Sequence, residues 1–201
     1  EIVGEGTPLV FLHGFTCDHR NWDPQVDYFS KNFKVITYDA RGHGKSSLPD
    51  TVPYSYAEDL EALMDFLEID KAVFIGHSMG GAPVFYYTIE NPEKVLALVL
   101  AEGGAMINDP SIVDTTFIPD YFNEFRKAIS VAQNEGLDKG KEASLNIQPL
   151  KTAAENPMSS DLMKIMINDY SGWHWLNSNH HKPSPEGTIE LMNQIKPPTL
   201  I

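Results

Sequence analysis

The segment Gly76-His77-Ser78-Met79-Gly80-Gly81 sets one serine between two glycines at the spacing of a nucleophile held on a sharp turn. A serine hydroxyl is a weak nucleophile until a base and a defined geometry activate it. Both neighbours of the motif suit that purpose. The apolar run Ala72–Ile75 reads as a strand leading in, and the residues beyond Gly81 read as a helix that ends before Pro92. A strand-to-helix elbow lifts the hydroxyl out of the sheet. Its crowding calls for glycine on both sides, and the helix N-terminus favours negative charge developing nearby. The competing reading is a glycine-rich turn with an incidental serine.

A second cluster, His13-Gly14-Phe15, follows the apolar run Leu9–Leu12. Attack on an ester or amide carbonyl puts negative charge on one oxygen. Rigid backbone N–H donors can stabilise that charge, at roughly 3–4 kcal/mol per donor. The amides of Met79, just after the serine, and of Phe15 are the expected donors; otherwise Phe15 merely packs. Glu102 ends the next β run, 24 residues beyond Ser78, and is a reserve candidate for a catalytic acid. Its alternative is a strand-end carboxylate facing solvent.

The remaining reactive side chains are read more plainly. His77 neighbours the serine, but adjacent residues on a tight turn point apart, so a structural role is expected. His43 is expected to organise its glycine loop and His13 to brace the oxyanion loop. Trp173-His174-Trp175 is expected to pack a helical core, with pocket lining as the alternative. His180-His181 has no partner spacing for a metal, and none is predicted. Cys17 is expected to be a packed small residue.

These groups need a scaffold. Lys34–Tyr38 reads as a strand ending at Asp39, followed by the loop Arg41-Gly42-His43-Gly44-Lys45-Ser46. Trp22–Lys31 reads as a helix with Pro24 in its first turn. Ser55 and Glu58 have capping-box spacing ahead of Leu60, Leu63, Met64 and Leu67 at helical period. Val95–Leu100 is another β run. Short strands alternating with helices imply a mostly parallel sheet flanked by helices. Beyond Gly104 the rhythm is lost. Residues 106–187 read as a helical insertion, including helices near Tyr121–Asn134 and Asp161–Tyr170. Thr188–Ile195 reads as a helix returning to the core, and Pro198-Thr199-Leu200-Ile201 as the opening of a strand. The expected division is core 1–105, helical cap 106–187 and return to the core 188–201.

Composition narrows the partners. Of 201 residues, 28 are acidic and 15 basic, for a net charge of −13, which argues against a nucleic-acid surface. No apolar run approaches the ~18 residues of a membrane span. One cysteine excludes an internal disulfide framework and fits a reducing, cytoplasmic setting. The oligomeric state is not readable.

Three motifs together, Val10-Phe11-Leu12-His13-Gly14-Phe15, Asp39-x-Arg41-Gly42-His43-Gly44-Lys45-Ser46 and Gly76-His77-Ser78-Met79-Gly80-Gly81, resemble the α/β-hydrolase superfamily. Their order and separation resemble its esterase, lactonase and carbon–carbon hydrolase branch. Ser78 sets the chain apart from the branches with an aspartate nucleophile, the haloalkane dehalogenases and epoxide hydrolases. The resemblance implies an α/β-hydrolase fold with a cap and no cofactor. It implies hydrolysis of a small carboxylic ester or lactone through an acyl-serine. Cleavage of a diketone-like carbon–carbon bond, or a silent ligand-binding fold, would share every visible residue. It also implies the order serine, then Asp or Glu, then histidine. The usual positions of the last two fall beyond Ile201, and a strand or two before Glu1, so the chain is expected to be part of a longer hydrolase.

Overall fold

A computed structural model describes residues 1–50, 52–102, 120–148, 150–177 and 191–201 of the chain, with the side chains of residues 120 and 121 left aside. The strands are β1 (Ile2–Val3), β2 (Pro8–Leu12), β3 (Lys34–Tyr38), β4 (Ala72–His77), β5 (Val95–Ala101) and β6 (Thr199–Leu200). The helices flanking them are α1 (Asp23–Phe29), α2 (Tyr56–Phe66) and α3 (Gly81–Glu90). Among the described residues the strands form one sheet in the order β1-β3-β2-β4-β5-β6. Only β1 runs antiparallel, against β3.

The near-continuous apolar character of β2 has a direct cause: both faces of the sheet are covered. Val10 and Leu12 point to one side, where they join Ile36, Phe74, Leu98 and the inner faces of α2 and α3. Leu9 and Phe11 point to the other side, onto Trp22, Val26 and Val35. Helix α2 begins at Ser55, whose hydroxyl accepts the Ala57 N–H at 3.2 Å: Ser55 is the N-cap, bonded to the second helical residue rather than to Glu58 as a capping box would have it. Leu60 and Met64 carry its buried stripe.

One expected element divides. The stretch read as a single helix from Trp22 to Lys31 is a tight turn, His19–Trp22, followed by α1, which ends at Phe29. Asp18 caps the turn by accepting the Arg20 N–H, so the helical path starts before Trp22. The amides of Asn32 and Phe33 turn back onto the Phe29 carbonyl and stop the helix early.

Between β5 and β6 the described residues hold helices and no strand: α4 (Asp120–Glu135), α5 (Leu137–Ser144), α6 (Leu150–Glu155), α7 (Ser160–Asp169) and α8 (Trp173–Leu176). Two clusters hold this insertion together. One is Ala154, Met163, Met166 and Ile167 with Cys17 of the core; the other is Ala132, Tyr170 and Trp175. Burial pushes the Cys17 thiol up to about 12, so it packs rather than reacts. Leu191, Met192 and Ile195 of the returning segment lie against the main core. The expected helix begins at Thr188, and residues 188–190 fall outside the described residues, as do His180 and His181.

The chain leaves β2 toward β3 on one side and re-enters at β4 on the other. The carboxyl ends of β2 and β4, paired through Leu12 and Gly76, therefore form the switch point of the sheet. Open α/β sheets present their binding crevice at that point.

Candidate active site at the carboxyl ends of the central strands

Ser78 follows β4 directly, with φ +49, and opens the tight turn Ser78–Gly80 that runs into α3. A non-glycine residue in this region costs about 1–3 kcal/mol and persists only where the surroundings enforce it. The flanking glycines allow the turn to close. A Cβ on Gly76 would run into the Gly80 backbone, and one on Gly80 would run into the carbonyls of Leu12 and His13. Gly80 is thus pressed onto the end of β2, which joins the elbow to the loop at His13-Gly14-Phe15. Ser78 is exposed, and the Met79 side chain packs against the main core. The first amides beyond the elbow belong to helix-opening turns, whose N–H groups lack intrahelical acceptors.

The loop after β2 is fixed by its histidine. His13 is fully buried; its Nδ1 lies 2.8 Å from the Gly14 carbonyl and its Nε2 accepts the Ala40 N–H at 3.0 Å. Those two bonds define a neutral tautomer donating from Nδ1, and burial lowers its pKa. His13 therefore ties the loop of Phe15 to the end of β3, the bracing role expected of it. Thr16, two residues past Gly14, is also fully buried with φ +63. Strained non-glycine residues thus stand beyond the ends of β2, β4 and β5, at Thr16, Ser78 and Glu102.

The glycine loop after β3 is built on Asp39. One carboxylate oxygen accepts the His19 N–H and faces His19 Nδ1, both at 2.7 Å, and the other accepts the Lys45 N–H at 2.8 Å. Burial raises the Asp39 pKa, but these bonds outweigh it and hold the carboxyl below its ordinary value. Gly44, at φ +49, lies so close to that carboxylate that a Cβ has no room. Arg41 turns outward and makes a two-point pair with Asp59 of α2, at 2.9 and 2.5 Å. Asp18, His19 and Asp39 bring ligand atoms within 4.8 Å of one another. Both Asp18 oxygens are taken by Arg20, and Asp39 is occupied as described, so the cluster serves as loop scaffold.

His43 sits buried at the centre of an aromatic group, with Nδ1 3.2 Å from the Arg41 carbonyl. Burial first, then the neighbouring His13 and His174, depress its pKa well below the ordinary value. It organises the loop, as expected. The role of His174 was not legible in its sequence surroundings. Trp175 is fully buried in the insertion, whereas His174 docks the insertion onto the core. Its Nε2 lies 3.1 Å from the Tyr54 hydroxyl and 3.0 Å from the Tyr56 hydroxyl, and its ring stacks on His43 at 4.8 Å.

His77 and Glu102 meet across β4 and β5, where His77 pairs with Ala101. His77 Nε2 is 3.8 Å from the Glu102 carboxylate, whose side chain is 81% exposed. Burial lowers the His77 pKa and the nearby carboxylate partly restores it. No hydrogen bond joins the Ser78 hydroxyl to a histidine among the described residues.

Residues 7–142 match the family model for the alpha/beta hydrolase fold. The chain belongs to the α/β-hydrolase family. This α/β-hydrolase is 37% identical over 131 residues to a non-heme chloroperoxidase of Streptomyces lividans, covering 63% of the chain and 48% of that protein. It is 35% identical over 100 residues to 3-oxoadipate enol-lactonase 1 of Acinetobacter baylyi, covering 49% of the chain and 38% of the lactonase. The chain thus spans half or less of the length of these curated relatives. In structure the α/β-hydrolase resembles a hydrolase from Pseudomonas aeruginosa, with a TM-score of 0.74 at 24% identity, over 99% of the chain and 72% of that structure. A thermophilic esterase from Thermogutta terrifontis gives a TM-score of 0.71 at 22% identity, over 99% and 71%. At such identities these two likenesses speak for the fold.

Proposed function

We propose that this chain carries the nucleophile and oxyanion elements of a serine hydrolase that opens a small carboxylic ester or lactone. The observation behind the reading is Ser78 itself, an exposed serine held at φ +49 between strand and helix at the switch point of the sheet. Strain of this kind is kept where geometry matters for chemistry. In the reading, the Ser78 Oγ attacks the acyl carbon as its proton passes to a histidine outside the described residues. The amides of Phe15 and Met79 donate to the carbonyl oxygen as it becomes negative. The alcohol leaves with that proton, and water then releases the acid from the acyl-serine. Glu102 remains the reserve acid, and the helices of the insertion act as a cap that shapes the pocket. The names of two relatives, an enol-lactonase and a bifunctional esterase/perhydrolase, point to the same substrate class.

The test is turnover by the protein expressed from its complete open reading frame. A panel of p-nitrophenyl esters, aliphatic lactones and a vinylogous diketone separates ester from carbon–carbon cleavage. Ser78→Ala is expected to lower kcat by at least about 10⁴-fold, in line with removal of a triad nucleophile. Turnover retained within a few fold in that variant would remove Ser78 from the mechanism. A folded protein inactive on the whole panel would favour the silent ligand-binding fold.

A further inference from the structure

We propose that His174, in the helical insertion, is a positioning residue for the oxyanion donor Phe15; the inference rests on the serine-hydrolase reading above. The Phe15 ring is half-buried between two parts of the molecule. On the core side it meets the edge of His43, with ring centres 5.8 Å apart. On the insertion side it meets Tyr170 at 5.9 Å, His174 at 6.0 Å and Phe125 at 6.3 Å. The residue whose backbone N–H is assigned to the oxyanion is therefore packed through its side chain by helices more than a hundred residues away.

His174 is what holds that packing in register. His174 Nε2 lies 3.0 Å from the Tyr56 hydroxyl and 3.1 Å from the Tyr54 hydroxyl, and the Tyr56 hydroxyl also reaches the Arg41 carbonyl at 3.2 Å. Its Nδ1 lies 3.1 Å from the Tyr170 hydroxyl. One imidazole thus joins the start of α2 to the end of α7 while its face lies on His43. Two further contacts clamp the same segment to the glycine loop. The Ser171 hydroxyl donates to the Gly42 carbonyl at 3.1 Å, and Gly42, at φ +82, has no space for a Cβ because the His174 ring fills it.

The backbone on either side of Phe15 has little freedom. His13 fixes the residues before it, and buried Thr16, at φ +63, follows it. The Phe15 ring is then the lever that sets the orientation of its own peptide. Oxyanion donors have to be held within about 0.5 Å of their productive place. Loss of a whole donor costs about 10²–10³-fold in kcat. A donor that is loosened rather than deleted is expected to cost about 10- to 100-fold.

The experiment compares wild type, His174→Ala, Phe15→Ala and the double variant in the complete protein, with Ser78→Ala alongside. The readouts are kcat, KM and the affinity of a boronic acid that forms a tetrahedral adduct on the serine. His174→Ala is expected to lower kcat about 10- to 100-fold with KM within about 3-fold, and to weaken the boronate in proportion to kcat. The double variant is expected to lose little more than the worse single one, since both act through one contact. Unchanged kcat in His174→Ala, a rise confined to KM, or additive losses in the double variant would overturn the inference. Should His174→Ala not fold, His174→Gln keeps a polar partner for the tyrosine hydroxyls, removes the ring and is read by the same criteria. Loss of turnover in Ser78→Ala together with unchanged kcat in His174→Ala defeats this inference alone. Turnover retained in Ser78→Ala defeats the site reading and this inference with it.

Discussion

Gly14 lies directly against Ser78: a Cβ on Gly14 would stand 3.5 Å from the Ser78 Cβ and 2.8 Å from His77 Nδ1. The backbone of the loop after β2 therefore lies against the His77 and Ser78 side chains of the elbow, with only hydrogen on Gly14 at the contact. Gly14→Ala is predicted to push the two apart by a few tenths of an ångström. Overpacking of this size costs about 1–3 kcal/mol of stability. The expected loss in kcat/KM is larger than stability alone explains, at least about 10-fold, because misplacement near the reacting atoms is costly. Denaturant unfolding and ester kinetics on the same preparation check this. A variant with wild-type kinetics would mean that the contact does not set the site.

Glu102 faces His77, and its carboxylate is mostly in water. An acid that orients a catalytic histidine is a buried partner, and its amide replacement costs about 10⁴-fold. Glu102→Gln in the complete protein is accordingly predicted to keep kcat within about 3-fold. A loss above 100-fold would instead promote Glu102 to the triad.

The elbow was legible in the sequence because its causes are local. Gly76 and Gly80, on either side of Ser78, press together within five residues, so the steric requirement is written in the spacing itself. The strands were legible for a similar reason: Lys34–Tyr38 is an apolar run between polar ends, and its bounds are those of β3. The start of α1 was less so, because the turn at His19–Trp22 depends on Asp18 accepting from Arg20 as well as on helical period. The docking role of His174 was not legible at all. Its partners Tyr54 and Tyr56 lie 120 and 118 residues away, and only the fold brings them together. Flanking tryptophans suggested a helical core, which describes Trp175 but not the histidine beside it.

Acid is predicted to weaken the fold through buried histidines. His13 and His43 are both buried and have folded-state pKa values below the ordinary one. Above pH about 6.5 these groups are neutral in both states and contribute no slope. As pH falls below that value the unfolded chain takes up the protons first, and stability drops. The limit is about 1.4 kcal/mol per pH unit for each group, until the folded-state groups titrate. Asp39 has the same sign in a lower window: its lowered pKa stabilises the fold above about 3.8, and that contribution is lost only as pH falls below it. It therefore adds nothing to the histidine slope near pH 5–6. Urea unfolding at pH 7.5 and 5.5 measures this. Equal unfolding free energies at the two values would contradict a neutral, buried pair.

In the serine-hydrolase reading Ser78 forms the covalent bond to substrate, and that bond can be trapped. The protein from the complete open reading frame is treated with a fluorophosphonate, digested, and the modified peptide sequenced by mass spectrometry. One label per chain on Ser78, absent in Ser78→Ala and slowed by a competing ester or lactone, is the predicted result. A label on another residue, or labelling of the folded Ser78→Ala protein at the wild-type rate, would place the nucleophile elsewhere than Ser78.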